Sequence, residues 1–201
     1  MDAAATRLRR NRPPRASVTI VQMPLPIVTE RLTLRAYRPS DLADLHNVLY
    51  SSEEAMALLG GARELVATRA ALERSIRQQR SDGYSFWPVI ERASGKLIGE
   101  AGLFPLAPGG PDISLGYALG ADYWGRGYAS EAARAVLAEA FGPLGMTRVV
   151  AITREANAGS RNVLRKLGFR MDGCRHVWGA EQLYFVLERS AYENADADAA
   201  A

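Results

Sequence analysis

The feature that most constrains this chain lies between residues 112 and 153, where the hydropathy period changes twice. Asp112–Leu119 reads as a strand. From Gly127 to Phe141 the period becomes helical, with Ala129, Ala133, Val136, Leu137, Ala140 and Phe141 on one face and Glu131, Arg134 and Glu139 on the other. Gly142-Pro143 ends that helix, and Arg148–Thr153 follows as a β-branched apolar strand. Two strands joined by a helical crossover lie parallel, and the connection is right-handed. A chain built around such a unit is an α/β protein, and its other segments must extend the sheet on both sides.

They do so in pattern. Arg31–Tyr37 alternates, with Leu32, Leu34 and Ala36 on one face, and predicts a strand. Pro39-Ser40-Asp41 stops it, and Ser40 is expected to cap a helix whose inward side is Leu42, Leu45, Val48 and Leu49. A second helix is expected from Val66 to Arg80, ending at Ser81-Asp-Gly83. Tyr84–Glu91 and Lys96–Phe104 flank Arg92-Ala-Ser-Gly95, a hairpin signature. Asn157 opens a short helix with Val163, Leu164 and Leu167 inward, and Phe169–Trp178 and Leu183–Arg189 are further strands. The fold class is therefore α/β (an α+β mixed sheet), with about seven strands and four helices.

Length and charge bound the rest. The 201 residues suit a single domain. We expect residues 1–24 to be a disordered basic tail, 25–190 the domain, with order beginning near Ile27, and 191–201 a second disordered tail. Residues 1–22 carry five arginines against one aspartate, which exceeds the net charge of +3 for the whole chain, so the body is close to neutral. This gives no support to a nucleic-acid-binding surface. One cysteine and two histidines exclude a disulfide framework and a zinc cluster, so no metal is expected. Cys174 reads as a small buried hydrophobe in a reducing, cytoplasmic compartment. No apolar run reaches the roughly 18 residues of a membrane span.

The chemistry concentrates in Trp124-Gly125-Arg126-Gly127-Tyr128-Ala129-Ser130, between a strand and a helix. Two glycines let the backbone approach a ligand closely. The first helical turn leaves N–H groups unpaired at the positive end of the dipole, a ready site for pyrophosphate. A dinucleotide fingerprint fails here: Ser130 stands in the place of the third glycine, and no acid lies about 20 residues on. No P-loop G-K-[ST] occurs either.

Tyr123–Ala132 resembles the acyl-CoA-binding segment of GNAT N-acetyltransferases, especially the RimJ/RimL-like branch. The resemblance extends to Thr29–Arg35, Leu115–Leu119 and Asn157–Phe169, in that order along the chain. It implies a GNAT-like fold and acetyl-CoA as co-substrate. The backbone N–H groups of Gly125, Arg126, Gly127, Tyr128, Ala129 and Ser130 would cradle pyrophosphate. The strands 112–119 and 148–153 would splay apart, and Ala118 and Leu119 would offer backbone hydrogen bonds to pantetheine. Asn157 and Ser160 would lie beside the pantetheine arm and the thioester sulfur. Both also suit a local role, Asn157 as helix cap and Ser160 at the third helical position.

The reaction so implied is direct attack of a primary amine on the thioester in a ternary complex. The amine must lose a proton, the oxyanion needs a donor, for which an N–H of strand 112–119 serves, and the thiolate leaves. Many family members place a tyrosine acid in the last helix; Leu164 holds that position here. Others carry a glutamate where this chain has Ser114. Ser160 is the candidate acid, and Glu100, Asp112, His176 and Glu181 remain as bases, with Glu100 expected to face away from Leu97, Gly99, Ala101 and Leu103. The aromatic residues Tyr84, Phe86, Trp87 and Trp178 read as core. The expected partner is an amine acceptor, small molecule or protein N-terminus, with no nucleic acid or membrane, for a monomer or homodimer. The competing readings are an acyl-CoA-binding module without turnover, and a nucleotide oxidoreductase.

Overall fold

The computed structural model describes residues 21–200, with side chains as far as residue 194. Most of the expected basic tail therefore lies outside the described residues, but its last part does not. Met23 is 3% exposed, and its N–H donates to the Gly83 carbonyl at 2.9 Å. Order thus begins before Ile27, because an apolar side chain at 23 finds a place in the core.

Eight strands form one sheet. They are β1 (Ile27–Val28), β2 (Leu32–Leu34), β3 (Phe86–Glu91), β4 (Leu97–Pro105), β5 (Ile113–Leu119), β6 (Arg148–Thr153), β7 (Arg170–Val177) and β8 (Ala180–Glu188), in the order β1-β2-β3-β4-β5-β6-β8-β7. The helices are α1 (Leu42–Leu45), α2 (Glu53–Met56), α3 (Leu65–Asp82), α4 (Tyr128–Phe141), α5 (Ala158–Lys166) and α6 (Arg189–Ala200). Every neighbouring pair is antiparallel except β5 and β6, which α4 joins in parallel. This is the crossover that the sequence demanded. The elements beyond the expected count are β1, α2 and α6.

One face of the sheet carries α4 and α5. Ala132, Ala133, Val136, Leu137 and Ala140, all fully buried, pack there on Leu32, Leu34, Val89, Ile98, Ala101, Leu103 and Val149. The other face carries α1–α3, where Tyr37, Leu45, Leu49, Tyr50, Met56 and Leu72 meet Leu97. On the β6 and β8 part of that face, Val150, Tyr184 and Val186 cluster with Leu106, from the turn after β4.

Local chemistry corrected several expectations. β2 stops at Leu34; Ala36 is exposed and Tyr37 turns inward. Ser40 caps nothing. Asp41 organises the turn instead: it takes the Arg38 N–H at 2.7 Å and the Arg35 guanidinium fork at 2.7 and 2.8 Å. Burial alone would raise the Asp41 pKa, but the fork and the N–H outweigh it and hold it below the usual range. After α1 the chain widens into a π-helical turn, His46–Tyr50, the kind of irregularity often found at functional sites. The expected C-terminal tail is the helix α6, whose Tyr192 packs on Phe141 with ring centroids 4.9 Å apart. Cys174 is exposed rather than buried, since β7 is an edge strand with a register break between Met171 and Cys174. Among the described residues no helix is long and apolar enough to cross a membrane, and no group of His, Cys, Asp and Glu is placed to hold a metal.

β3 and β4 approach so closely at Gly102 that an added Cβ would lie 2.0 Å from the Ser85 carbonyl oxygen and 2.6 Å from the Phe86 Cα. Backbone cannot yield as a side chain can. Gly102→Ala is therefore expected to cost about 2–3 kcal/mol, the usual scale of overpacking. In a domain of this size that lowers the melting temperature by roughly 5–10 °C, measurable by calorimetry.

Candidate active site

Two main-chain hydrogen bonds fix which way the backbone of β5 points. Leu106 N–H donates to Asp112 O, and Gly120 N–H to Ile98 O, at 2.9 and 3.0 Å. They make Pro105↔Ile113 and Gly99↔Leu119 the non-hydrogen-bonded pairs of the ladder. Ser114, Gly116 and Ala118 therefore spend their amides on β4, and Ile113, Leu115, Tyr117 and Leu119 turn theirs toward β6. The register with β6 is a single pair, Ser114↔Val150. Beyond it the strands part, and the amides of Tyr117 and Leu119 face the opening. Of the two residues expected to line this wedge through their backbones, Leu119 does so and Ala118 does not; Tyr117 is the other. The Leu119 carbonyl already accepts the Trp124 indole N–H at 2.9 Å.

At the mouth of the wedge the chain makes the glycine turn. Gly125 and Gly127 have φ of 73° and 80°, in the left-handed region that other residues resist, and Gly127 is the N-cap of α4. The amides of Tyr128, Ala129 and Ser130 precede the first intrahelical bond, Glu131 N–H to Gly127 O at 3.0 Å. Nothing lies within 4 Å of the position a Cβ would take on Gly125. Arg126 lies with its Cζ 5.7 Å from the Tyr123 ring centroid and makes no ion pair among the described residues.

On the α4–α5 face, the Asn157 side chain caps α5 by accepting the Ser160 N–H at 2.9 Å. The Ser160 hydroxyl lies 3.0 Å from the Tyr117 hydroxyl. Burial raises the Tyr117 phenol to about 12, against a smaller lowering by Ser160. Sequence reasoning passed over Tyr117, although strand alternation puts it on the α5 side. Leu164, where a tyrosine acid would stand, is 1% exposed core.

Glu100 lies on the opposite face. A register shift beside Val89/Ile90 interrupts the alternation of β4, so Leu97 joins the α1–α3 cluster on the Glu100 side and not the Ala101–Leu103 side as expected. Glu100 is buried. Its carboxylate oxygens accept from the Tyr37 and Tyr50 hydroxyls, both at 2.6 Å. Desolvation raises its pKa; the two phenols pull the other way and lose. Neither tyrosine was singled out from sequence, since each lies 50 or more residues away. Beside this layer, Asn47, Val48, Ser52 and Glu54 face Gly120, Ala121, Asp122 and Tyr123 across a cleft of about 220 Å³.

The other candidate bases sit elsewhere. Asp112 is engaged by Arg148 and by the Tyr184 hydroxyl. His176 and Glu181 are exposed partners across the β7–β8 hairpin. Phe86 stacks on Phe104 at 5.4 Å, and Phe104 meets the Trp178 ring at a tilt with centroids 5.7 Å apart, but Trp178 is 68% exposed and so is not core.

A parallel pair that opens beside a helix-capping glycine turn is the geometry to set against known proteins. A family model described as an acetyltransferase (GNAT) domain matches residues 31–170. The chain belongs to the GNAT acetyltransferase family. YnaD of Bacillus subtilis (strain 168), named as an uncharacterised N-acetyltransferase, is 28% identical over 169 residues, covering 81% of this chain and 96% of YnaD. An acetyltransferase from Agrobacterium tumefaciens superposes with a TM-score of 0.72 at 27% identity, over 81% of this chain and 94% of its own. The RimL ribosomal L7/L12 alpha-N-protein acetyltransferase, solved with coenzyme A, shares the fold with a TM-score of 0.70 at 19% identity, over 84% of this chain and 98% of its own. As a GNAT protein the chain is an N-acetyltransferase, and the fold is one that uses acetyl-CoA.

The raised Glu100 pKa carries a sign that can be measured. The fold favours the protonated carboxyl. That contribution is complete below the unfolded glutamate value and is lost as pH rises through the folded one. Glu100→Gln, neutral at every pH, should therefore gain melting temperature relative to the parent between pH 5 and 8. Melting curves across that range check this; an advantage that shrinks with pH would mean the tyrosines outweigh burial.

Proposed function

We propose that this GNAT protein moves the acetyl group of acetyl-CoA to a primary amine by direct attack within a ternary complex. The observation that carries the reading is the wedge between β5 and β6. Hydroxyl groups stand on one face of the sheet beside it, a buried carboxylate stands on the other, and the glycine turn lies at its mouth. Donor and acceptor can then meet through the sheet from opposite sides. The amides of Gly125 to Ser130 bind pyrophosphate, aided by Arg126, and pantetheine runs beside Leu119 and Asn157.

Glu100 is the base. Its desolvated carboxylate takes the proton that the acceptor ammonium must lose, directly or through water. The amine nitrogen bonds to the thioester carbon, an N–H of β5 turned into the wedge holds the oxyanion, the C–S bond breaks, and the surplus proton on nitrogen passes to the thiolate or to water. Ser160, positioned by Asn157 and Tyr117, donates a hydrogen bond to the departing sulfur. A thiolate leaves readily enough that a full proton transfer is not required. The acceptor is a small-molecule amine or a protein N-terminus; the fold shared with RimL supports the second, and supports a reading of the chain as RimJ/RimL-like. Acetyl-CoA chemistry suits a cytoplasmic protein.

Two tests bear on this. At about 100 times the dissociation constant, acetyl-CoA should stabilise the fold by roughly 2.7 kcal/mol, or roughly 5–10 °C in melting temperature. NAD should not, and Gly127→Glu should abolish the shift. In an acetylation screen against amines and N-terminal peptides, Glu100→Gln should lower the rate tenfold or more, about 1.4 kcal/mol of barrier, and remove the acid limb of the pH–rate profile. An unchanged profile would discard Glu100. The close hold of Tyr37 and Tyr50 on Glu100 favours one other reading, a module that binds acyl-CoA without turnover. A thermal shift with no acetylated product across the screen would support it.

A further inference from the structure

The residues that bring the first strands to the acyl-CoA loop form a single contact set. Glu131, in the first turn of α4, accepts three hydrogen bonds. Its Oε1 takes the Thr29 hydroxyl at 2.5 Å and the Arg31 N–H at 2.9 Å, and its Oε2 takes the Arg31 Nε at 2.7 Å and lies 2.7 Å from Nη2 in an ion pair. The same guanidinium donates through Nη1 to the Arg126 carbonyl at 2.9 Å, and its Cζ lies 4.7 Å from the centroid of the Tyr128 ring. Tyr128 in turn donates to Glu91 at 2.6 Å. Thr29 and Arg31 are about 100 residues from Glu131 in sequence, so nothing local requires this arrangement.

We propose that Arg31 is a positioning residue for pyrophosphate binding. It aims an amide of the glycine turn and neutralises the carboxylate that stands in the first turn of α4. The first effect follows from peptide planarity. The Arg126 carbonyl and the Gly127 N–H belong to one plane and point in opposite directions. Tethering the carbonyl to Arg31, on the β2 side, turns the Gly127 N–H away from β2. The second effect is electrostatic. Glu131 sits in the turn whose free amides would receive an anion, and its pKa is lowered by Thr29 and Arg31 in spite of burial, so it is charged. Paired with Arg31 the two contribute no net charge, and Arg126 is left as the cation of the loop. All three guanidinium nitrogens of Arg31 are engaged, Nε and Nη2 by Glu131 and Nη1 by the Arg126 carbonyl, so it serves as a brace.

The inference rests on the acetyl-CoA reading above, and calorimetric titration of coenzyme A separates the two. Parent protein that is folded and binds no coenzyme A overturns both. If the parent binds, Arg31→Ala should weaken the dissociation constant at least tenfold. Arg31→Ala with Glu131→Gln should recover a substantial part of that loss, because the unpaired carboxylate is gone. Arg31→Lys, which keeps the charge and loses the fork, should fall between parent and Arg31→Ala, and it provides the reading if Arg31→Ala does not fold. Affinity within threefold of the parent in Arg31→Ala, with only the melting temperature lowered, would make the contact set purely structural and overturn the proposal. So would a double variant no tighter than Arg31→Ala.

Discussion

The structure depends on a hydrogen-bonded ladder that ends early. β5 and β6 are parallel because a helix joins them, yet they share one register pair, Ser114↔Val150. Past that point the sheet interior offers main-chain donors and acceptors with no strand to receive them. Leaving such groups unpaired in a protein interior costs free energy comparable to a lost hydrogen bond. An extended amide-bearing molecule can satisfy them as a strand would, and pantetheine has two amides. The other pairings serve to hold this opening: β4 grips β5 over its whole length, and β8 grips β6 from Arg148 to Thr153.

The rigidity of the opening has a second source. α4 is packed without exposed area at Ala132, Ala133, Val136, Leu137 and Ala140. Such a core resists small displacements, because its side chains interdigitate at crystal-like density. The helix N-terminus therefore cannot drift relative to β5, and the turn at Gly125–Gly127 stays in register with the wedge it borders.

Much of this was legible in the sequence where one local rule sufficed. The helical period of 127–141 and the β-branched run 148–153 fixed the crossover, and Asn157 caps the helix it was expected to cap. What the sequence hid depended on distance or on parity. Tyr37 and Tyr50 reach Glu100 across 63 and 50 residues, and no periodicity announces such a meeting. The face that Leu97 takes followed a register shift in the β3–β4 pair, and a single slip exchanges the two faces of a strand. Ala118 and Tyr117 differ by one position, but ladder alternation gives one to β4 and the other to the wedge. The helix α6 went unread because its composition is polar, and what ties it to the domain is distant in sequence: Arg189 bonds the Met146 and Thr147 carbonyls and Tyr192 packs on Phe141.

The break in β7 changes what the sheet presents at its border. An open sheet of eight strands exposes two borders, and a long flat border is a template on which another chain can polymerise. At one border β1 is two residues long and follows Pro24 and Pro26. At the other, β7 is eight residues long and would be a hazard if it were regular. The slip between Met171 and Cys174 twists it, and Arg170, Asp172 and Arg175, joined in ion pairs of 3.0 and 3.5 Å, stud its length with charge. An incoming strand would have to match an irregular spacing while burying those charges. The same irregularity that brings the lone thiol to the surface thus protects the border from fibrillar growth.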